Sequence, residues 1–455
     1  MKNCYHGLVK KVTKVSRSFI PVLVLLATVL LYEGIYALFV RPYRNPISIY
    51  HSPAIRNIGK ISVGYTLIAP YNNTLNADPN NWGSVYLLDL TGRAVHDWKT
   101  TRQVLSAQMK KNGNLLVAME PSQLSNQFPG GGNTGVLEEV DWNGKIVWRH
   151  IDEAMHHDFA QLPNGNIAYA RWEVTPPAVA KRVQGGIPGT ELNGQMWSDE
   201  IVEVDRDGKI VWSWHAYEHL HPENDIPRPQ ELRRGWYASV IDPALTRAGW
   251  TYVNGIQHVP HNPLDGEEAY LASMRSLDTI MLIRKRDGEI IWQSQKDLLN
   301  TQHDPNMLPN GNIVAFDNGF ARLPIPIPRY GSRVIEVNPK TDEVVWTFDG
   351  GKGVMDKLTF FGPLVGGSQP LPNGNILITD GPRGHIFEVT KQGEVVWDMV
   401  SPYETERTGA FPVNFLFKAR RYSKNDVQFP SSLPDPTNMM LYTIANTLAP
   451  LYPTR

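Results

Sequence analysis

The 455-residue chain has almost no cysteine: Cys4 is its single one, and it lies ahead of the one long apolar run. A disulfide framework and a thiolate metal site are therefore excluded from the body of the protein. An excess of charge of either sign is missing as well. Lys and Arg total 44 against 45 Asp and Glu, the formal net charge is −1, and no basic block interrupts the body. That balance argues against nucleic acid as a partner. What the chain does have is turn formers and rings, with 37 Gly, 35 Pro, 13 Trp, 18 Tyr and 14 Phe in a sequence that is 42% hydrophobic. Such a composition suits a turn-dense β protein able to bury a sizeable core better than a helical bundle.

The apolar run extends from Phe19 to Val40, broken by Glu33, and follows Lys2, Lys10, Lys11, Lys14 and Arg17. Its length predicts a transmembrane anchor over 18–40, and the basic residues of 1–17 predict that the N-terminus stays in the cytoplasm. The expectation is then a single-pass protein of the inner membrane. A linker at 41–56 would lead to a body on the periplasmic side. Membrane lipid would be one partner, and subunits of a membrane complex another.

Two repeats organise the body. The motif LPNGN stands at Leu162–Asn166, Leu308–Asn312 and Leu371–Asn375, with a worn copy, KKNGN, at Lys110–Asn114. Asn-Gly between short apolar runs predicts tight hairpins with a type I′ turn. The second repeat is a polar turn that runs on to a Trp, as in Asp205-Arg-Asp-Gly-Lys-Ile-Val-Trp212, and it ends at Trp98, Trp148, Trp212, Trp292, Trp346 and Trp397. Two hairpins per unit and a basic period of about 50 residues predict an all-β, six-bladed propeller over 57–425. Blade limits fall near 57–101, 102–151, 152–215, 250–300, 301–350 and 360–400. Insertions at 173–199 and 216–249 read as loops or short helices, Phe411–Tyr422 as the source of a closing strand, and 426–455 as a tail.

Counting back seven residues from the hairpin turns reaches His157 from Asn164, His258 from Asp265 and His303 from Asn310. Equivalent positions on the first strand of successive blades would form a ring at one mouth of the axial channel. Arg171, Arg275 and Asn318, at the ends of second strands, and Arg333, at the start of a third, are expected at the same face. Imidazole and guanidinium together suit an anion whose charge is spread over several oxygens, and a neutral imidazole is a competent nucleophile or base near pH 7. Three histidines could equally hold a metal ion, with Asp158 and Asp304 behind them.

These residues resemble the bacterial aryl sulfate sulfotransferase family, the kind that uses no nucleotide donor. The matching pieces are His156-His157-Asp158 with LPNGN, Ser273-Met274-Arg275, and His303-Asp304 with LPNGN-Ile-Val-Ala-Phe-Asp-Asn-Gly. Ser332-Arg333, Gly366-Gly367-Ser368-Gln369 with LPNGN, and FKARRY at Phe417–Tyr422 complete the set. The resemblance spans roughly residues 60–425. It implies a six-bladed propeller that moves a sulfuryl group from an aryl sulfate to a phenol through a sulfated histidine, with no metal and no cofactor. His303 matches the nucleophile, His157, His258 and Arg275 match groups around the sulfuryl, and Ser368 matches a hydroxyl residue. Asn318, Asn262, Arg333 and Arg171 complete the expected substrate contacts. The family's HxN element reads His258-Val259-Pro260 here, with His261-Asn262 displaced downstream. That departure leaves open a propeller without turnover that serves as a scaffold or subunit of a membrane assembly.

Overall fold

The computed structural model describes residues 54–71, 83–121, 131–185, 189–221, 247–319, 331–351, 360–403 and 414–436. The expected anchor at 18–40 and its flanks lie outside them, as do 222–246 and the tail from 437. No helix among the described residues is long and apolar enough to cross a membrane.

Six antiparallel sheets form the body, four of them built from four consecutive strands. The inner strands are Val104–Met109, Met155–Gln161, Val253–Val259, His303–Met307 and Gly367–Pro370 in the second to sixth blades, and these strands contact one another from blade to blade. The first blade is assembled from both ends of the body. Tyr65–Ile68, Gly83–Leu88 and Ala94–Thr100 are joined on the inside by Arg420–Tyr422, with Thr66 opposite Arg421. The closing strand expected from FKARRY is thus present. The sixth blade gains a fifth strand, Ala54–Ile55, along its outer edge. That addition covers Val396, which is buried, whereas Val147, Val211 and Val345 on the outer strands of other blades stay about half exposed.

The recurrent tryptophans close the ring. Each indole N–H donates to a turn of the following blade: Trp98 to the Asp141 carbonyl, Trp148 to Arg206, Trp212 to Lys285, Trp292 to the Asp342 carboxylate and Trp346 to Lys391. Trp397 of the last blade reaches the Leu90 carbonyl of the first at 2.9 Å. The Trp at each unit's end is therefore a staple between blades as well as core. Hydrophobic clusters fill the space between neighbouring sheets, for example Ala168, Ile201, Trp214 and Tyr270 between the third and fourth.

The hairpin turns differ from the expected type. Gly165, Gly311 and Gly374 have φ of 90°, 86° and 85°, but Asn164, Asn310 and Asn373 do not share the left-handed conformation that a type I′ turn demands of both central residues. In each LPNGN copy the glycine N–H donates to the leucine carbonyl, and the leucine N–H to the carbonyl of the final Asn. This is a three-residue loop, a type I turn closed by a left-handed glycine. The final Asn also donates to a third-strand carboxylate, Asn166 to Glu203 and Asn312 to Glu336, both at 2.6 Å. The insertion expected at 173–199 begins later and ends earlier, because the pairing of the third blade's second and third strands extends to Val174 opposite Trp197. A short helix, Pro177–Ala180, lies between, and another, Ala216–His219, follows the blade.

Candidate functional site

His303 opens the inner strand of the fifth blade and is 2% exposed. Its Nδ1 faces two acceptors, the Oδ1 of Asn318 at 2.7 Å and the Thr301 carbonyl at 3.1 Å. The orientation of the Asn318 amide is settled by its nitrogen, which donates to the carbonyls of Gly362 and Val365 at 2.7 Å each. Nδ1 of His303 therefore carries the ring proton, and Nε2 presents a lone pair. Burial lowers this histidine to about 3, and the Arg275 guanidinium pushes in the same direction while Asn318 opposes it. The ring is neutral at any ordinary pH.

His157 belongs to the same constellation. Burial first, and then His156, His303 and Arg275, hold it well below the ordinary imidazole value. The Phe417 ring lies beside both histidines, with centroids 6.2 Å from His157 and 6.4 Å from His303. Tyr252 packs edge-on against His157 at 4.9 Å and holds Arg275 over its face, 5.4 Å from the centroid. Below this level Asp158 and Asp304 face Lys418, and Arg420 makes a two-pronged contact with Asp304. The cations hold Asp304 well below the usual carboxylate range despite its burial. The amide of Ser368 donates to Asp304 Oδ2 at 2.9 Å, so this serine is part of the support under His303.

Backbone strain gathers here. Six of the nine described non-glycine residues with positive φ are His157, Tyr252, Asp278, Thr301, Asp304 and Val365. Each is either one of the residues just named or holds one of them: Asp278 accepts the Thr301 N–H, and Val365 accepts from Asn318. Conformations of this kind cost free energy and persist where the surroundings over-determine them, typically at functional sites.

Several expected members lie elsewhere. His258 pairs with Tyr270, one pair before the end of its hairpin, and its Nε2 is 2.7 Å from Glu268. It lines a surface cavity of about 490 Å³ with Pro163, Asn164 and His261 at the turn end of the blade. The count along the sequence fails for two reasons. This turn is closed by Asn262 and Glu267, giving one more loop residue than LPNGN. The strand irregularity also falls between Val253 and Gly255, whereas in the fifth blade it falls between His303 and Asn306. Asn262 is a turn residue whose oxygen accepts from Leu264 and Asp265. Arg333 is engaged by Asp317 and the Leu298 carbonyl. Arg171 sits near Asp152 and Glu200 on the second strand of its blade. The three predicted histidines thus do not converge as a metal site. Among the described residues, donors close enough to share an ion are Glu173, Glu200 and His215, on outer parts of the third blade.

The sequence reading missed Tyr252, which carries no motif. FKARRY was legible as a closing strand and as a family motif, but its lysine and arginines were not read as counter-charges to the aspartates following two of the histidines.

The sequence profile of the arylsulfotransferase (ASST) family matches residues 151–402, more than half of the chain. The chain belongs to the arylsulfotransferase family. The matched region contains His157, Arg275, His303, Asn318 and Ser368. Lys418 and Arg420 lie beyond it. No curated protein matches the chain. Among solved structures, a protein of unknown function from Bacteroides caccae is 13% identical, covering 78% of this chain and 98% of its own, with a TM-score of 0.44. Apo AztD from Citrobacter koseri is 9% identical over 80% and 99%, with a TM-score of 0.38. The Dos1 propeller is 10% identical over 76% and 74%, with a TM-score of 0.36.

Proposed function

We propose that this arylsulfotransferase-family chain moves a sulfuryl group from an aryl sulfate to a phenolic acceptor through a sulfohistidine at His303. The observation that carries the reading is the pair of acceptors at His303 Nδ1, Asn318 and Thr301, which keeps the ring proton there and leaves the lone pair on Nε2, with the Arg275 charge acting on the same ring. In the first half-reaction Nε2 attacks sulfur, an N–S bond forms and the S–O(aryl) bond breaks, releasing a phenolate. In the second, a phenol oxygen attacks the same sulfur and the N–S bond breaks. Arg275 would meet the charge spread over the sulfonate oxygens during transfer, while the leaving aryl oxygen takes the electron pair of the broken bond. Family membership supports this reaction class, and the strain around His157 and His303 supports the place.

The membrane anchor at 18–40, with the propeller on the periplasmic side, is part of the same proposal and rests on the apolar run and the basic residues before it.

The test is intact-protein mass after mixing the detergent-solubilised chain with a chromogenic aryl sulfate and no acceptor. A gain of about 80 Da, the mass of one sulfuryl group, localised to His303 is expected. Absence of both adduct and released phenol would overturn the reading in favour of a non-catalytic scaffold.

A further inference from the structure

His156 and His157 are neighbours in sequence, and the left-handed backbone at His157, φ 58°, turns their rings toward each other. The two Nδ1 atoms are 2.9 Å apart and the ring planes stand at 89°. On its far side His156 Nε2 lies 2.8 Å from Asp199 Oδ1. The contact falls short of a straight hydrogen bond, so the ring nitrogen meets the carboxylate at an angle. Asp199 is fully buried, and its other partners are neutral: the Val253 N–H donates to Oδ1 at 3.0 Å, and the Thr251 hydroxyl donates to Oδ2. Trp172 stacks on His156 at 4.0 Å.

The protons in this chain of groups can be assigned. A neutral imidazole carries one proton, and two ring nitrogens 2.9 Å apart must share one between them. A lone pair on His156 Nε2 would face a buried carboxylate oxygen, so the proton of His156 stays on Nε2. The shared proton then belongs to His157 Nδ1, and His157 Nε2 is left with its lone pair. The edge of the ring bearing Nε2 lies against the backbone of Gly132, where a methyl group would come within 2.3 Å of it.

We propose that Asp199 and His156 are positioning residues that hold His157 as the Nδ1–H tautomer, so that its Nε2 takes the proton of the acceptor phenol. This rests on the sulfuryl-transfer reading. In the second half-reaction the phenol oxygen bonds to the sulfur on His303 while its proton passes to His157 Nε2. The S–N bond breaks and its electron pair returns to His303 Nε2. The first half-reaction with 4-nitrophenyl sulfate releases a weakly basic phenolate and needs no such proton transfer. The two halves therefore separate the roles.

The experiment compares full-length wild type with Asp199→Asn, His156→Phe and His156→Asn. The burst of 4-nitrophenolate and the subsequent transfer to phenol are each timed. All should show the burst within about threefold of wild type. Transfer to phenol should fall about 100-fold in Asp199→Asn and His156→Phe, the ordinary worth of an acid–base group. His156→Asn should lose less than tenfold, because its amide oxygen stands where Nδ1 stood and still accepts the His157 proton. A packing role alone reverses the order, since Phe keeps the stack on Trp172 and Asn does not; Phe transferring faster than Asn would overturn the inference. So would a burst and a transfer rate that fall together, or full-rate transfer in Asp199→Asn. If Asp199→Asn loses its melting transition, the two His156 variants decide between themselves. A wild type without a burst removes the sulfohistidine reading and this inference with it, whereas a normal wild-type burst confines any failure to the relay.

Discussion

Lys418 Nζ lies 2.5 Å from Asp158 Oδ2, with each side chain 3% exposed, although the two residues are 260 positions apart. The same ammonium is 3.2 Å from Asp304. Asp158 and Asp304 immediately follow His157 and His303, so the segment that closes the propeller also ties together the strands carrying both histidines.

Lys418→Met should therefore unfold more easily than wild type by about 3–5 kcal/mol, because it leaves buried carboxylates short of their counter-charge. Urea unfolding checks it. A loss below about 1 kcal/mol would mean that Arg420 alone neutralises the pair. The rate of the 4-nitrophenolate burst should drop as well, since Asp304 adjoins the nucleophile.

His157→Ala should abolish steady-state transfer, while His258→Ala should keep it within about twofold, since His258 engages Glu268 at the turn end. Gly132→Ala gives a sharper version. It places a methyl group against the His157 ring at a backbone φ of 77°, and should remove transfer. A kinetic comparison of the three variants checks the placement, and equal losses in His157→Ala and His258→Ala would contradict it.

Asn318→Leu removes the acceptor facing His303 Nδ1 and the donor to Gly362 and Val365. The Thr301 carbonyl remains, so the tautomer is weakened and not lost. We expect kcat to fall about 10- to 100-fold with KM nearly unchanged, the pattern of a group that orients a nucleophile.

The buried histidine also predicts a pH dependence. His303 is lowered from 6.5 to about 3. Between those values the unfolded chain binds a proton that the folded chain does not, so the stability associated with this group is present above about 6.5 and is lost as pH falls toward 3. Asp278, raised to about 7 mainly by burial, acts in the opposite sense, because the folded state then holds the extra proton. The difference between wild type and His303→Gln isolates the histidine. Wild type should lose stability relative to the variant by up to about 1.4 kcal/mol per pH unit below 6.5, read from melting or urea curves. A pH-independent difference would mean that the ring binds its proton as readily in the folded as in the unfolded chain. Protonation of His303 should not limit the burst at pH 5, and an acid limb near 6.5 assigned to it would contradict the same picture.

The sequence by itself determined the repeat: LPNGN and the terminal Trp recur at spacings that allow little except six like sheets, and turn residues and periodicity are local properties. His157, Arg275 and His303 were legible for the same reason, since two of them stand at a fixed distance from identical turns and the third within a short motif. His258 stood at that distance too and proved misplaced, because one extra turn residue and a bulge at another height move a side chain along its strand without altering the count. The positive φ of Asn predicted for the turns also failed, for a glycine alone suffices when the loop has three residues. What only the tertiary structure decided is everything that depends on the ring being closed. Tyr252 reaches His157 from the neighbouring blade, and Lys418 comes from the far end of the chain to meet Asp158 and Asp304 on the inner strands of two others. Their meeting is set by how the blades pack around one axis, a long-range condition that no local spacing encodes.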